Sequence, residues 1–182
     1  AGAELPEDFV AADGSPIVWP IPEDQMVRKL SVPSQGRLYY VRYALKAGWA
    51  PERIHDLTGI DPWFIDQFAQ LVEFEDELLR YDSLEALPAE TLRTAKELGY
   101  SDPQLARLYK GSIRTESILE VRAHRKSLGI EPVYKLVDTC AAEFEAVTPY
   151  YYSTYERPFL IEGQSVVDDE IRVSDQKKIV IL

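Results

Sequence analysis

Between Ser34 and Gly129 the chain is divided into short apolar-periodic segments by residues that start or stop helices, and this punctuation limits it to a multihelical fold. Asp61-Pro62 is the strongest of these signals. An aspartate side chain accepts from the first free amides of a helix, and a proline at the first helical position gives up a donor that would be orphaned anyway. Pro51 marks a second start, Pro88 opens a helix that Gly99 closes, Ser101 caps a short one, and Thr115 is expected to cap one that runs to Gly129. Before Gly48, the residues Leu38, Val41 and Leu45 recur at three to four positions among tyrosines, which predicts an amphipathic helix. The longest helix should run from Asp61-Pro62 to about Arg80, its stripe formed by Trp63, Phe64, Phe68, Leu71, Val72, Glu75 and Leu78.

A repeat underlies this pattern. Gly48, Trp49, Ile54 and Leu57 return 51 positions later as Gly99, Tyr100, Leu105 and Leu108, and Ile60, Ile65 and Phe68 return at 53 as Ile113, Ile118 and Val121. The expected fold is therefore all-α and multihelical, with two small similar helical subdomains, about 34–82 and 88–129, inside a helical domain spanning 34–136. Residues 1–33, with Pro6, Pro16, Pro20, Pro22 and Pro33, read as an arm or linker in which a regular element would be brief at most. Beyond Gly129 the β-branched, proline-interrupted text reads as extended or irregular chain, with 137–176 a connector segment and loop. KKIVIL at 177–182 reads as the first strand of a further domain, and both ends of the chain are expected to be cuts.

Composition excludes several classes. A formal net charge of −11 and a pI near 4.7 oppose a nucleic-acid backbone. No apolar run approaches the roughly 20 residues a membrane span requires, and the first residues lack the basic and apolar stretches of a signal peptide. The single cysteine, Cys140, cannot form an intrachain disulfide, which suits a reducing, intracellular setting.

Candidate chemistry is sparse. Glu73, Glu75, Asp76 and Glu77 cluster on one predicted helix and read as a solvated face. Cys140 with His124 or His55 could form a nucleophile and base, but no strained elbow surrounds the cysteine, which reads as a core residue. Two histidines and one cysteine have no zinc spacing, and neither G-x-G-x-x-G nor G-x-x-x-x-G-K-[ST] occurs. A helix-turn-helix over Ser101–Gly129 is the sharper rival. There Arg107, Lys110, Arg114, Arg122, Arg125 and Lys126 outnumber Asp102, Glu116 and Glu120, although acids stand where base contacts would come. A nucleotide- or substrate-binding fragment is the other alternative.

Two strings carry a specific resemblance: TGIDPWFIDQ at 58–67 and VDTCAAEFEAVTPYYYSTYE at 137–156, supported by VPSQGRLYYVRYALKAGW, ELGYSDPQLARL and VRAHRKSLGIEPVYKLVDTC. From about Leu30 to Leu182 the chain resembles the oligomerisation (connection) domain of the carbamoyl-phosphate synthase large subunit. The resemblance assigns no match to residues 1–29, and RPFLIEGQSVVDDEIRVSDQ is longer than and different from the expected link. The resemblance implies two helical subdomains between two ATP-grasp synthetase halves, one making carboxyphosphate and carbamate and the other phosphorylating carbamate. It implies self-association of large subunits and no ATP, metal or bicarbonate ligands in this stretch, so that catalytic, cofactor-binding and metal residues are all none. The parent ligase would use ATP with magnesium or manganese, pair with a small glutamine amidotransferase subunit, and serve arginine and pyrimidine biosynthesis in the cytoplasm, with no nucleic acid or membrane partner. Trp63, Phe64 and Phe68 would be core or interface anchors, the tract Val137–Glu156 would thread between this domain and the halves, and Glu143 and Glu145 could contact those halves.

Overall fold

The computed structural model describes residues 19–139, 143, 150–171 and 173–177, and the chain divides into two compact units, Ala1–Arg80 and Tyr81–Leu182. The first unit holds α1 (Glu23–Ser31), α2 (Arg37–Lys46), α3 (Pro51–Thr58) and α4 (Pro62–Leu78). α1 packs on α2 and α3, and both of these pack on α4. Met26, Leu30, Val41, Ala44, Ile54 and Ile65 form its buried centre, with Trp19, Trp49 and Phe68 packed around them. Each fully buried large aliphatic side chain contributes about 1.5–3 kcal/mol relative to exposure, so this cluster is the unit's main source of stability.

The second unit holds α5 (Ala89–Glu97), α6 (Asp102–Lys110) and α7 (Thr115–Ser127), followed by β1 (Val133–Val137), β2 (Tyr150–Thr154), β3 (Phe159–Ile161) and β4 (Gln164–Val166). Leu92, Ala95, Leu105, Ala106, Val121 and Ile130 are fully buried there. β1 and β2 pair antiparallel, with Val133 opposite Thr154 and Val137 opposite Tyr150, and β3 pairs with β4. Along β1, Val133 and Lys135 are buried while Tyr134 and Leu136 are exposed, the period of two that a half-covered strand requires.

The helices α2–α3–α4 and α5–α6–α7 follow one plan. α2 and α5 both end on a Schellman turn: Gly48 N–H donates to Leu45 O and Trp49 N–H to Ala44 O, matched by Gly99 to Lys96 O and Tyr100 to Ala95 O. Gly48 and Gly99 sit at φ +79° and +91°, where a β-carbon would be strained. α3 and α6 then bury Ile54 and Leu105 completely and end on the left-handed Gly59 and Gly111. α6 is one residue longer than α3, and the turn from Gly111 to Thr115 is one residue longer than that from Gly59 to Pro62. The repeat spacing therefore drifts from 51 to 53. Within it, Val41 and Leu92, and Ala44 and Ala95, are further equivalent and fully buried pairs.

Several local expectations are corrected. In the stretch read as an arm, Glu23–Ser31 is a helix with Met26 and Leu30 in the core. Its prolines bracket it, Pro22 at the N-cap and Pro33 beyond the end, instead of interrupting it. Leu38 is exposed, and α2 buries Tyr40, Val41, Tyr43 and Ala44. Trp63 and Phe64 are exposed as well; α4 buries Ile65 and Leu78. Thr115 is the first helical residue of α7, with Arg114 at the cap position and no capping side chain. The expected polar loop after Arg157 contains the β3–β4 hairpin, turned by Glu162 and Gly163, both at positive φ as in a type I′ turn. Residues 178–182 of the expected final strand lie outside the described residues.

Candidate functional site

The densest polar construction lies in the second unit. The capping box at the start of α6, with Ser101 Oγ accepting from Gln104 N–H and Gln104 Oε1 from Ser101 N–H, sets the first turn in which Asp102 stands. Asp102 then receives Lys96 from α5 at 2.9 Å and both of its carboxylate oxygens accept from Arg125 Nε of α7 at 3.0 Å. The two cations are 94% and 92% buried and complete their bonding on backbone, Lys96 to Tyr100 O at 2.6 Å and Arg125 to Ile130 O at 3.0 Å. One carboxylate thus ties three helices and the turn after α7. Burial alone would raise the Asp102 pKa, but the hydrogen bonds and charges of Lys96 and Arg125 outweigh it and hold the carboxyl below its usual value.

The C-terminal segment docks on the same cluster. The Tyr155 ring lies 5.2 Å from Lys96 Nζ and 5.7 Å from the Arg125 guanidinium carbon. Arg157 bonds Glu97 at 3.1 Å and pairs with Glu90, strapping the chain after β2 onto α5. A cavity of about 250 Å³ opens beside this cluster, lined among others by Lys96, Tyr100, Ser101, Thr154 and Tyr155. Its one cation, Lys96, is already held by Asp102 and the Tyr100 carbonyl.

The first unit has a smaller counterpart. Glu75, expected on a solvated face with Glu73, Asp76 and Glu77, is instead half-buried between α2 and α4, bonded to Arg42 at 2.5 Å and to Lys46. Burial pushes its pKa up, yet the Lys46 and Arg42 contacts outweigh that and lower it. The pairing was missed because 33 residues separate Arg42 from Glu75, a distance that no helical spacing encodes.

Among the described residues, the remaining sequence candidates are not brought together. His55 Nδ1 lies 2.7 Å from Ile60 O, and His124 Nε2 is buried without a hydrogen-bond partner among the described residues. Cys140 and Glu145 lie outside the described residues, and Glu143 is exposed. Among the described residues no three His, Cys, Asp or Glu side chains converge, and no helix is long and apolar enough to cross a membrane. Three of the six basic residues of the helix-turn-helix reading are paired with carboxylates: Arg125 with Asp102, Lys110 with Glu85 and Glu120, and Lys126 with Glu131.

Residues 10–129, which contain every helix of both subdomains, match the family described as carbamoyl-phosphate synthetase large chain, oligomerisation domain. The chain belongs to that family. Carbamoyl phosphate synthase large chains from Rhodopirellula baltica and Archaeoglobus fulgidus are 48% and 47% identical, each over 87% of this chain. A large chain, N-terminal section, from Aquifex aeolicus is 44% identical over 80% of it. The chain spans 13%, 14% and 25% of the lengths of these relatives. Read as an oligomerisation domain of the synthetase large chain, its buried charge clusters are the joints of a helical scaffold.

Proposed function

We propose that the chain is a non-catalytic connector that self-associates within a carbamoyl-phosphate synthase large chain. The match of all its described helices to the oligomerisation domain carries this reading, and the commitment of its buried cations to internal carboxylates and carbonyls supports it. Catalysis, cofactor binding and metal binding are assigned to other parts of the ligase, which would make carbamoyl phosphate from bicarbonate and ammonia or glutamine with ATP and magnesium or manganese. In this reading the connector lies between two ATP-grasp halves in the cytoplasm, serves arginine and pyrimidine biosynthesis, and belongs to a holoenzyme with a small glutamine amidotransferase subunit. The folding boundaries are proposed as the two similar helical subdomains followed by a connector that leads into the next half. Glu143 is proposed as a contact to a neighbouring half: Glu143→Gln in the whole enzyme should lower turnover at unchanged stability, and full turnover would sink that assignment.

Two measurements on the chain test the main reading. Sedimentation velocity over a concentration series should show a sedimentation coefficient that rises with concentration, whereas a monomer at every concentration would refute self-association. A thermal melt with ATP and magnesium should leave the midpoint unmoved, because only a ligand that binds the folded state stabilises it. A rise in the midpoint would favour the nucleotide-binding alternative.

A further inference from the structure

The two helix triplets share their caps, turns and buried register positions, so each shows which side chains those local features require. In register, Leu38 and Tyr39 of α2 stand where α5 has Ala89 and Glu90, and Trp63 and Phe64 of α4 stand where α7 has Glu116 and Ser117. The four residues of the first subdomain are 52%, 65%, 61% and 54% exposed. Ala89, Glu90 and Glu116 are exposed too, and Ser117 is half-buried. The caps, turns and buried positions common to the two helix triplets therefore form with small or charged residues at these places, and the four large apolar side chains of the first subdomain stay more than half in water. In α5, α6 and α7 the one Phe, Trp or Tyr, Tyr109, is half-buried. Clustered, exposed aromatics on a soluble domain mark contact surfaces, and Trp and Tyr are the commonest anchors of such contacts.

The geometry suits an anchor. Trp63 and Phe64 pack edge to face at 5.0 Å and 87°, on a helix start fixed by Asp61 accepting from Trp63 N–H at 2.9 Å. Side chains already held in place lose little freedom on docking. α2 and α4 also pack against each other with opposite charge: α2 carries Arg37, Arg42 and Lys46 and no acid, and α4 carries Asp66, Glu73, Glu75, Asp76 and Glu77 and no base. Glu75 engages Arg42 and Lys46 within one copy, yet Arg42 keeps 37% of its side chain exposed, and Glu73 and Asp76 remain exposed on α4. A surface with a basic side and an acidic side complements itself across a two-fold axis.

We infer that the exposed residues Leu38, Tyr39, Trp63 and Phe64 of α2 and α4 form the self-association surface, and that its occupant is a second copy of this chain. This rests on the self-association reading above, and the stretch matched to the oligomerisation domain includes all four residues. The test is sedimentation velocity from about 1 to 100 µM on the chain and on two double variants, Trp63→Glu with Phe64→Ser and Leu38→Ala with Tyr39→Glu. Each variant carries the residues that the second subdomain has at the same places, so circular dichroism melts should be unchanged; if one variant fails to fold, the other decides. Each folded variant should weaken association at least about tenfold, the range lost when a contact anchor is truncated. Leu119→Ser, at an exposed position of α7, should not weaken it. Undiminished association of a folded variant overturns the surface and leaves self-association standing. A chain that is monomeric throughout overturns both and assigns the aromatic face to a different domain.

Discussion

Asp102 is paired with two buried cations, Lys96 of α5 and Arg125 of α7. Its removal would leave Lys96 and Arg125 buried with an uncompensated charge, and breaking such a pair from one side costs about 3–5 kcal/mol. Asp102→Ala should therefore lower the unfolding free energy in urea by about that amount, whereas loss of an exposed pair such as Arg53–Glu23 should change it by under about 1 kcal/mol. The sign with pH follows from the lowered carboxyl values. Asp102 lies below its usual 3.8 and Glu75 below 4.5 when folded, so both contribute their full stability above those values and lose it as pH falls toward the lowered folded ones. Urea unfolding followed from neutral pH downward should show stability declining below about pH 4.5. Asp102→Asn, whose amide does not titrate, should flatten part of that decline; an unchanged slope would show that Asp102 does not carry it.

At the scale of elements, helix ends were the most legible part of the chain. Asp61, Pro51, Ser101, Gly48 and Gly99 stand in the roles their residue types announce, because a cap or a left-handed turn is decided within a few residues. Ser101→Ala removes one half of the capping box and should cost about 1 kcal/mol in a thermal or urea melt. Gly99→Ala meets no atom within 4 Å but forces a β-carbon to φ +91°, so it should cost about 1–2 kcal/mol. The failures are equally local in cause. Proline density hid α1, although the prolines lie outside its ends, and the Glu162-Gly163 turn lacked the Asn-Gly or Asp-Gly that advertises a type I′ hairpin. The helical stripe read for α4 left Trp63 and Phe64 open as core or interface anchors, since periodicity gives the apolar side of a helix but not how much of it a neighbour covers.

For the whole molecule, the net charge of −11 acts against the helix-turn-helix alternative, and three of the six local cations that favoured it are held by carboxylates. Labelled duplex DNA at low salt should show no mobility shift with this chain, and a salt-sensitive shift would revive that alternative. The amino-acid sequence by itself determined the helical class, most helix boundaries and the family, because these reside in short-range spacing, capping residues and contiguous strings. Only the tertiary structure decided which apolar residues are interior and which stay in water, and that Asp102 and Glu75 are hubs instead of surface charges. Those outcomes depend on partners 23 and 33 residues away, brought within hydrogen-bond reach by helix packing, and no local pattern specifies such a meeting.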